Sequence, residues 1–584
     1  MTRLRWSIVA LTIVLLFQVF WRSHTFGDSA LYRPLISRGW AAGGSVEPLD
    51  CDEAIYAYMG RRMIQGDVLY RDLSENKPPL GYWLYAATVA IGGANEWTIR
   101  LMPLPFVLAT TILVWWITRR LAGETAAVVA AFLFALVDTD PYLFGNGANL
   151  EHAMNLFAVC SLGCFLKGFE RNDKWWLLGS GLAIGAESLI KQVAVLPTLL
   201  YVFILLFKRP TLQRTPDQTL QQDVNLSRRL VQVLFLGLGF GTIWLTALGV
   251  LFFQGVLSEG IDHFVTWAAA LARETPPDAH APSHWIRWFT GNSDPRNGHL
   301  PWPFGKTEWL VWWGAGAWPL WAGALPSLVY LGSSKGAASR KIVAVWTFCT
   351  FLEILPSGLY WQHYYLLAVP GLAICFAVML SEGLFGIVEV LKRDDRFIAK
   401  AGKALLRLVV VSTLFVAIAW TIRIQVRDYL LVTPERITTQ LKGGGQWVAL
   451  KRLGIELKER LRACNAPPTL FVWGWQSPLY IYGELNSPTK YAFSDPLLKA
   501  FASSDHPLVR PRVEQILADL KAKPPTLILV ADPPFPALKQ FLIENYQVDW
   551  SGLVPRSPNG QGLWIIKSVA DRFERAGAGA RQGS

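Results

Sequence analysis

The sequence predicts an α-helical polytopic membrane protein with a small C-terminal α/β soluble domain. Of its 584 residues, 52% are hydrophobic and only 17% are charged, whereas soluble proteins average about 25% charged residues. Apolar runs of about 15 to 25 residues recur with basic residues at their ends, which is the pattern of transmembrane helices. Beyond residue 424 this pattern stops, and short apolar runs alternate with amphipathic ones.

The transmembrane domain is predicted to cover residues 1–424 and the soluble domain residues 425–584. The first of these holds about eleven segments that are long and apolar enough to cross a bilayer. The predicted spans are 6–21, 100–118, 122–138, 151–168, 175–190, 193–208, 230–254, 308–331, 341–356, 364–391 and 403–424.

The apolar segment 79–94 decides the topology, because it is shorter than the other segments and is interrupted by glycines. If it does not cross the membrane, the basic clusters of the later loops all face the cytoplasm, as the positive-inside rule requires. We therefore predict a juxtamembrane or re-entrant helix there. The N-terminus is then cytoplasmic, and loop 22–99 and the C-terminal domain are extracytoplasmic.

The C-terminal domain shows the alternation of a small α/β fold. Apolar runs that favour strands alternate with amphipathic runs that favour helices. The predicted strands are 469–473, 526–530 and 563–566, and the predicted helices are 446–463, 509–521 and 535–545.

The formal charge of +12 raises the question of nucleic-acid binding. Many of the Lys and Arg residues stand at the ends of apolar runs, where they act as topological anchors. The sequence contains no contiguous basic face with interleaved aromatic residues. It also contains no Walker loop and no dinucleotide fingerprint. These patterns argue against nucleic-acid and nucleotide partners.

Chemistry is expected first in the loop after the opening span. Asp52 and Glu53 begin an amphipathic run in which Ile55, Tyr58 and Met59 recur at helical spacing. A carboxylate in the first helical turn is favoured by the helix dipole. Asp52 therefore has two open interpretations, as a helix cap or as a reactive group at the membrane surface, where charged residues are usually functional.

Further polar residues fall on the same predicted side of the membrane. Each is also explained as an ordinary interfacial residue, since Lys, Tyr and Trp are common there. Together with Asp52 and Lys77 they bring carboxylates, lysines and histidines to one face, around a cavity open to lipid. They are Glu151 and His152, Lys191, and His363 with Tyr364.

This set of residue types suits transfer from a lipid-linked phosphate. A leaving phosphate needs cations, and Lys77 and Lys191 fit that role. An acceptor hydroxyl needs a general base, and the Asp52 carboxylate fits that role. The same base can complete an inverting displacement at the anomeric carbon of a sugar.

The runs D-E-A-I-Y-A-Y-M-G-R-R-M-I-Q-G-D from residue 52 and E-N-K-P-P-L-G-Y-W from residue 75 resemble a known family. They look like the first extracytoplasmic loop of bacterial relatives of protein O-mannosyltransferases and lipid A aminoarabinose transferases. These PMT-like proteins are GT-C fold glycosyltransferases that use polyprenyl-phosphate sugars. Weaker similarities continue through residues 93–100, 149–155, 191–194 and 363–370.

The resemblance implies a role for several residues. Asp52 would match the family's catalytic aspartate, with Glu53 as its usual neighbour, and Lys77 the lysine that contacts the donor phosphate. Glu151 stands where relatives often carry Asp. The resemblance also implies an enzyme of the bacterial inner membrane and cell envelope that transfers a hexosyl or pentosyl group to a lipid, glycan or protein acceptor.

A divalent cation is left open, and no other cofactor is predicted. Asp52 and Glu151 are the expected ligands, because hard cations prefer carboxylates. His280 and His284 have the spacing of two ligands on one helical face, but Pro282 between them argues against a regular helix.

Two other functions stay open besides the transferase. A lipid-linked sugar transporter or flippase would carry its charges near mid-membrane, between repeated halves of the chain. The sequence shows no internal repeat, and the charged residues map to the outer rim. In a purely structural protein, substitution of Asp52 would change nothing.

Overall fold

The fold follows from a computed structural model of the chain. It describes residues 2–23, 47–207, 226–270, 318–333, 338–354, 362–392, 397–442, 445–494, 497, 507–549, 553–554 and 560–582. Two compact units are present. The first consists of Met1–Gly44, Arg100–Leu248 and Asp278–Thr433, and the second of Ser45–Ile99, Gly249–Pro277 and Pro434–Ser584.

The membrane part is helical, and each predicted span is helical over most of its described residues. The helices are Thr2–Ser23, Pro103–Val137, Glu151–Arg171, Lys174–Ser188, Leu196–Phe207, Leu226–Phe253, Trp318–Ser333, Ala338–Ile354, Val369–Lys392 and Phe397–Gln425. The predicted spans 100–118 and 122–138 run together in Pro103–Val137, and Gly123, at the start of the second span, breaks the helix with a positive φ of 87°.

Six helices within the described ranges are long and apolar enough to cross a membrane. They are Leu4–Ser23, Glu96–Val137, Glu151–Arg171, Leu226–Phe253, Gln362–Leu384 and Arg407–Leu430. Leu80–Gly92 and Gln192–Phe207 are shorter apolar helices. The 13 residues of Leu80–Gly92 extend over about 20 Å, less than the roughly 30 Å of a hydrocarbon core. That segment 79–94 does not span the membrane stays a prediction.

Glycines allow close packing within the first unit. A Cβ on Gly181 would lie 2.0 Å from the carbonyl oxygen of Leu236, and one on Gly239 would lie 2.2 Å from that of Leu178. The Lys174–Ser188 and Leu226–Phe253 helices therefore touch backbone to backbone. Small residues at such contacts are typical of membrane helices.

The second unit contains a four-stranded sheet. Its strands are β1 Leu470–Trp473, β2 Leu527–Val530, β3 Tyr546–Val548 and β4 Gly562–Ile566, in the order β1-β2-β4-β3. β1 and β2 are parallel, whereas β4 is antiparallel to both β2 and β3. Helices of this region are Pro434–Leu441, Gln446–Ala463, Pro478–Tyr482, Arg510–Ala522, Pro536–Asn545 and Lys567–Gln582.

The three predicted strands and three predicted helices of this region are confirmed to within two residues, and the sequence missed β3. β1 and β2 are buried along their whole length. Hydrophobic residues of the sheet and helices form a core with Phe471, Ile516, Ile528 and Leu542 at its centre.

By its contacts, the part Ser45–Ile99 of the first loop belongs to the same compact unit as the C-terminal region. Cys51–Ile64 and Leu80–Gly92 are the main helices of this loop. They approach so closely that a Cβ on Gly60 would lie 2.9 Å from the backbone of Tyr85 and Ala86. The predicted domains, 1–424 and 425–584, separate residues expected in the membrane from residues expected in water. They do not coincide with the two contact-based units, and this division stays a prediction.

Candidate active site

The helix that carries Asp52 begins with a capping box formed by its neighbours. Asp50 is the N-cap, and its Oδ1 accepts the backbone N–H of Glu53 at 2.9 Å. In return, Oε2 of Glu53 accepts the backbone N–H of Asp50 at 3.0 Å. This reciprocal pair satisfies two helix-end donors. Asp52 lies between them in the first turn and is therefore not the helix cap.

The capping box separates the roles of the two acidic neighbours predicted at this site. Glu53 is fully buried, and its carboxylate accepts a hydrogen bond from the backbone at the start of the helix. Asp52 is partly exposed and lies in the positive field of the helix N-terminus. Of the two carboxylates, Asp52 has the placement of a group that can meet a substrate.

Asp50 was not singled out from the sequence, although the D-x-x-E spacing of residues 50–53 is a capping-box signal. Its side chain is buried. Burial, together with the charge of Glu53, raises the pKa of Asp50 from 3.8 to about 7, and Lys442 opposes this rise. The start of the helix therefore contains a carboxyl group that titrates near neutral pH.

We expect the stability of the second unit to fall as pH rises through this window. The folded state binds the Asp50 proton more tightly than the unfolded state, so the contribution is fully present below pH 3.8 and is lost as pH approaches about 7. Asp50→Asn keeps a cap that accepts the same backbone N–H but cannot ionise. Thermal unfolding between pH 4 and pH 8 should show a flatter pH dependence for the variant. Equal slopes for wild type and variant would contradict this assignment.

Lys77 lies in the loop between the two helices of the first loop. Its carbonyl oxygen accepts a hydrogen bond from the Tyr70 hydroxyl at 2.8 Å. Its Nζ lies 3.6 Å from Oε1 of the buried Glu75 and 5.3 Å from the centre of the Tyr56 ring. The ammonium group is thus held by a carboxylate and an aromatic face, and its side chain remains 22% exposed.

Tyr82 is a buried tyrosine of the Leu80–Gly92 helix. Burial raises the pKa of Tyr82 well above its usual value, and the charge of Glu75 adds to this rise. The Tyr82 phenol therefore stays protonated at neutral pH.

Four of the residues predicted in the membrane part come together in the first unit. Glu151, at the start of its helix, is buried and forms an ion pair with Lys191. Nε2 of His363 lies 4.0 Å from the same Glu151 oxygen. Lys191 Nζ stands 4.4 Å from the centre of the Tyr364 ring. The cluster brings one carboxylate, one ammonium, one imidazole and one phenol into contact.

His152 belongs to a different, fully buried network. Its Nδ1 lies 3.0 Å from Oδ1 of Asp138, and its Nε2 lies 3.0 Å from Nη2 of Arg22. Arg22 also contacts Asp138 and donates to the carbonyl oxygen of Gly147. Because a guanidinium only donates, Nε2 of His152 accepts and Nδ1 carries the proton. This network ties the first span to the start of the Glu151 helix, and a role of His152 in the site stays a prediction.

The metal prediction places its two ligands in different units, Asp52 in the second and Glu151 in the first. Among the described residues, no group of three or more His, Cys, Asp or Glu side chains is arranged to hold a metal ion. His280 and His284 lie outside the described residues.

Part of the chain is similar in sequence to known proteins. Residues 76–220 match the model of the dolichyl-phosphate-mannose-protein mannosyltransferase family. An uncharacterised protein of Aquifex aeolicus (strain VF5) is 26% identical over 170 residues, which are 27% of this chain and 33% of that protein. The chain thus spans about one third of the curated relative that it matches.

Two crystal structures of ArnT from Cupriavidus metallidurans share the fold over almost the whole chain. The apo structure has a TM-score of 0.53 at 16% identity and covers 98% of this chain and 99% of that one. The structure with bound undecaprenyl phosphate has a TM-score of 0.50 at 15% identity and covers 97% and 99%. The predicted fold class, a GT-C-like membrane protein with a C-terminal α/β region, is confirmed.

Proposed function

We propose that this chain is an inverting glycosyltransferase, which is supported by the partial match to a mannosyltransferase family model and by the GT-C-like fold. It takes a hexosyl or pentosyl group from a polyprenyl-phosphate donor and transfers it to an extracytoplasmic hydroxyl. The acceptor is a lipid, a glycan or a protein. The observation that carries the proposal is Asp52, a partly exposed carboxylate in a helix's first turn that is not used as its cap.

The proposed step is a single displacement at the anomeric carbon. The acceptor hydroxyl oxygen forms a bond to this carbon while the bond from the carbon to the phosphate oxygen breaks. The hydroxyl proton passes to the Asp52 carboxylate, which acts as general base. The polyprenyl phosphate leaves with the bonding electrons, and the Lys77 ammonium stabilises the added negative charge.

Three further expectations belong to this proposal. The donor class is supported by the relative that was crystallised with undecaprenyl phosphate. The protein lies in the inner membrane with a cytoplasmic N-terminus and an extracytoplasmic C-terminal domain, as the distribution of basic loops predicts. A divalent ion at Asp52 or Glu151 also stays a prediction, which is tested by treatment with a chelator followed by refilling.

The stereochemistry of the product tests the mechanism. Purified protein is incubated with undecaprenyl-phosphate mannose of defined anomeric configuration, and the configuration of the transferred sugar is read by NMR. One displacement by an activated hydroxyl predicts inversion. Retention would require a covalent intermediate or another mechanism and would contradict the role proposed for Asp52.

Lys77→Ala is expected to lower kcat/KM for the donor by about tenfold to a hundredfold, because a charge-assisted contact with the leaving phosphate is lost. Arg71→Ala is the matched control, since Arg71 is an exposed cation of the same loop that pairs with Asp72 at 3.1 Å. The measurement is release of undecaprenyl phosphate over a range of donor concentrations. Equal kcat/KM values for the two variants would remove Lys77 from the phosphate site.

A further inference from the structure

A short C-terminal segment, residues 477–487, holds both ends of the helix that carries Asp52. At the start of that helix, the Ser477 hydroxyl donates to the carbonyl oxygen of Cys51 at 2.6 Å. Two residues earlier, the backbone N–H of Leu49 donates to the Tyr482 hydroxyl at 2.8 Å. These two contacts enclose Asp50, whose own backbone is fixed by the capping box. Hydrogen bonds therefore fix the backbone at the three residues before Asp52, which are Leu49, Asp50 and Cys51.

The same segment binds the second half of the helix. The backbone N–H of Ser487 donates to the Tyr58 hydroxyl at 2.9 Å. Nη2 of Arg61 donates to the carbonyl oxygen of Leu485 at 2.6 Å. The rings of Tyr58 and Tyr480 pack with their centroids 4.5 Å apart. The helix thus contacts segment 477–487 along most of its length.

Segment 477–487 is itself attached to the sheet. The backbone N–H of Leu470 at the start of β1 donates to the carbonyl oxygen of Asn486 at 3.0 Å, and the backbone N–H of Val472 donates to the Tyr480 hydroxyl at 3.3 Å. Tyr482 also donates to Glu96 at 2.6 Å. A continuous series of hydrogen bonds therefore runs from the buried sheet to the first turn of the Asp52 helix.

The Lys77 loop is fixed by the same unit. The backbone N–H of Ser74 donates to the carbonyl oxygen of Lys490 at 3.0 Å, and the Ser74 hydroxyl lies 3.0 Å from Nε2 of His263. His263 is in turn anchored through its Nδ1, which lies 2.7 Å from the carbonyl oxygen of Glu259. The loop is therefore held three residues before Lys77.

We propose that the C-terminal region orients the Asp52 carboxylate, with Ser477 and Tyr482 as its positioning residues. Neither residue is assigned contact with the sugar or phosphate. The expected effect of these residues on the reaction rate rests on the proposed function, whereas their expected effect on the backbone of residues 49–55 does not. It gives the C-terminal region a part in the reaction beyond structural cover.

Positioning predicts a specific kinetic signature. Loss of either hydroxyl leaves Lys77 in place, so the donor KM should stay within about twofold of wild type. A general base that is displaced by about 1 Å loses as much as 10²-fold in rate, so kcat should fall by at least about tenfold. A role in folding alone would lower the amount of active protein and leave the kcat of folded enzyme unchanged.

Tyr482→Phe tests the proposal, with Tyr546→Phe as the matched control. Tyr546 is a buried tyrosine of the same region whose hydroxyl donates to the carbonyl oxygen of Pro525, so the same atom is removed without touching residues 49–64. Ser477→Ala and Ser477→Thr form a second pair, because threonine restores the hydroxyl. Full-length variants are compared by kcat and KM for undecaprenyl-phosphate mannose and by amide hydrogen exchange of residues 49–55.

The expected result is faster exchange at residues 49–55 and a lower kcat for Tyr482→Phe and Ser477→Ala. Tyr546→Phe and Ser477→Thr should stay close to wild type. Wild-type exchange rates in Tyr482→Phe, or faster exchange with an unchanged kcat, would overturn the positioning role. If wild type transfers no sugar from a panel of undecaprenyl-phosphate hexoses and pentoses, the proposed function fails, and the exchange measurement alone decides whether segment 477–487 fixes the helix.

Discussion

Replacing Asp52 by Asn is expected to lower kcat by about 10²- to 10⁴-fold, the usual contribution of a general base. Asparagine keeps the size and the polar character of the side chain but does not accept a proton. Because Asp50 and Glu53 form the capping box, the substitution leaves the helix start intact. The measurement is steady-state release of undecaprenyl phosphate by purified wild type and variant, with binding of undecaprenyl phosphate measured separately.

Asp67→Asn is the control for this substitution. Asp67 is a carboxylate of the same loop whose Oδ2 pairs with Nε of Arg62 at 2.6 Å, and the proposed step does not use it. Its kcat should stay near that of wild type. If Asp52→Asn keeps full activity, the base lies elsewhere, and Glu151 becomes the first residue to test.

Replacing Lys442 by Met is expected to destabilise the protein by about 3 to 5 kcal/mol, the usual cost of breaking a buried ion pair from one side. Lys442 Nζ lies 2.7 Å from Oε1 of Glu47, and both side chains are at most 1% exposed. The substitution leaves the buried carboxyl group of Glu47 without its Lys442 partner. Thermal or denaturant unfolding of the purified protein measures the effect.

The double variant Glu47→Leu with Lys442→Met tests whether the loss of stability comes from leaving one partner of the ion pair buried alone. Apolar residues of similar volume often replace a buried ion pair with little loss of stability. The double variant should therefore be more stable than Lys442→Met alone. A double variant as unstable as the single one would show that Lys442 stabilises the fold through other contacts.

Much of the fold was predictable because apolar periodicity is a strong signal. The spans were recognised from runs of apolar residues bounded by Lys and Arg, and β1, β2 and β4 from compact runs such as L-F-V-W at 470–473. β3 was missed because Tyr546–Val548 has only three residues and directly follows a helix. Such a short edge strand is specified by its pairing partner β4 rather than by its own sequence.

Contacts between distant parts of the chain were not predictable from periodicity. The sequence brought Glu151, Lys191, His363 and Tyr364 to one face, and the structure joins these four. His152 differs because successive residues on a helix point about 100° apart. It therefore turns away from Lys191 toward Arg22 and Asp138.

Two features around Asp52 differ in how far the sequence could reveal them. Its helix is fixed by Ser477 and Tyr482, more than 400 positions later in the chain, and no local pattern predicts such pairing. The cap, in contrast, is a local feature, because the spacing of Asp50 and Glu53 is itself a capping signal. That spacing alone assigns the cap to Asp50 and leaves Asp52 available for another role.

A glycosyltransferase breaks the bond between a sugar and its polyprenyl phosphate, whereas a transporter moves the intact donor across the bilayer. The most direct measurement places purified protein in sealed vesicles with radiolabelled undecaprenyl-phosphate mannose and follows both cleavage and movement of the label between leaflets. We expect undecaprenyl phosphate to be released and the sugar to appear on an acceptor or in water, and we expect Asp52→Asn to stop this. Movement of intact donor across the bilayer without cleavage would contradict this expectation and identify a transporter.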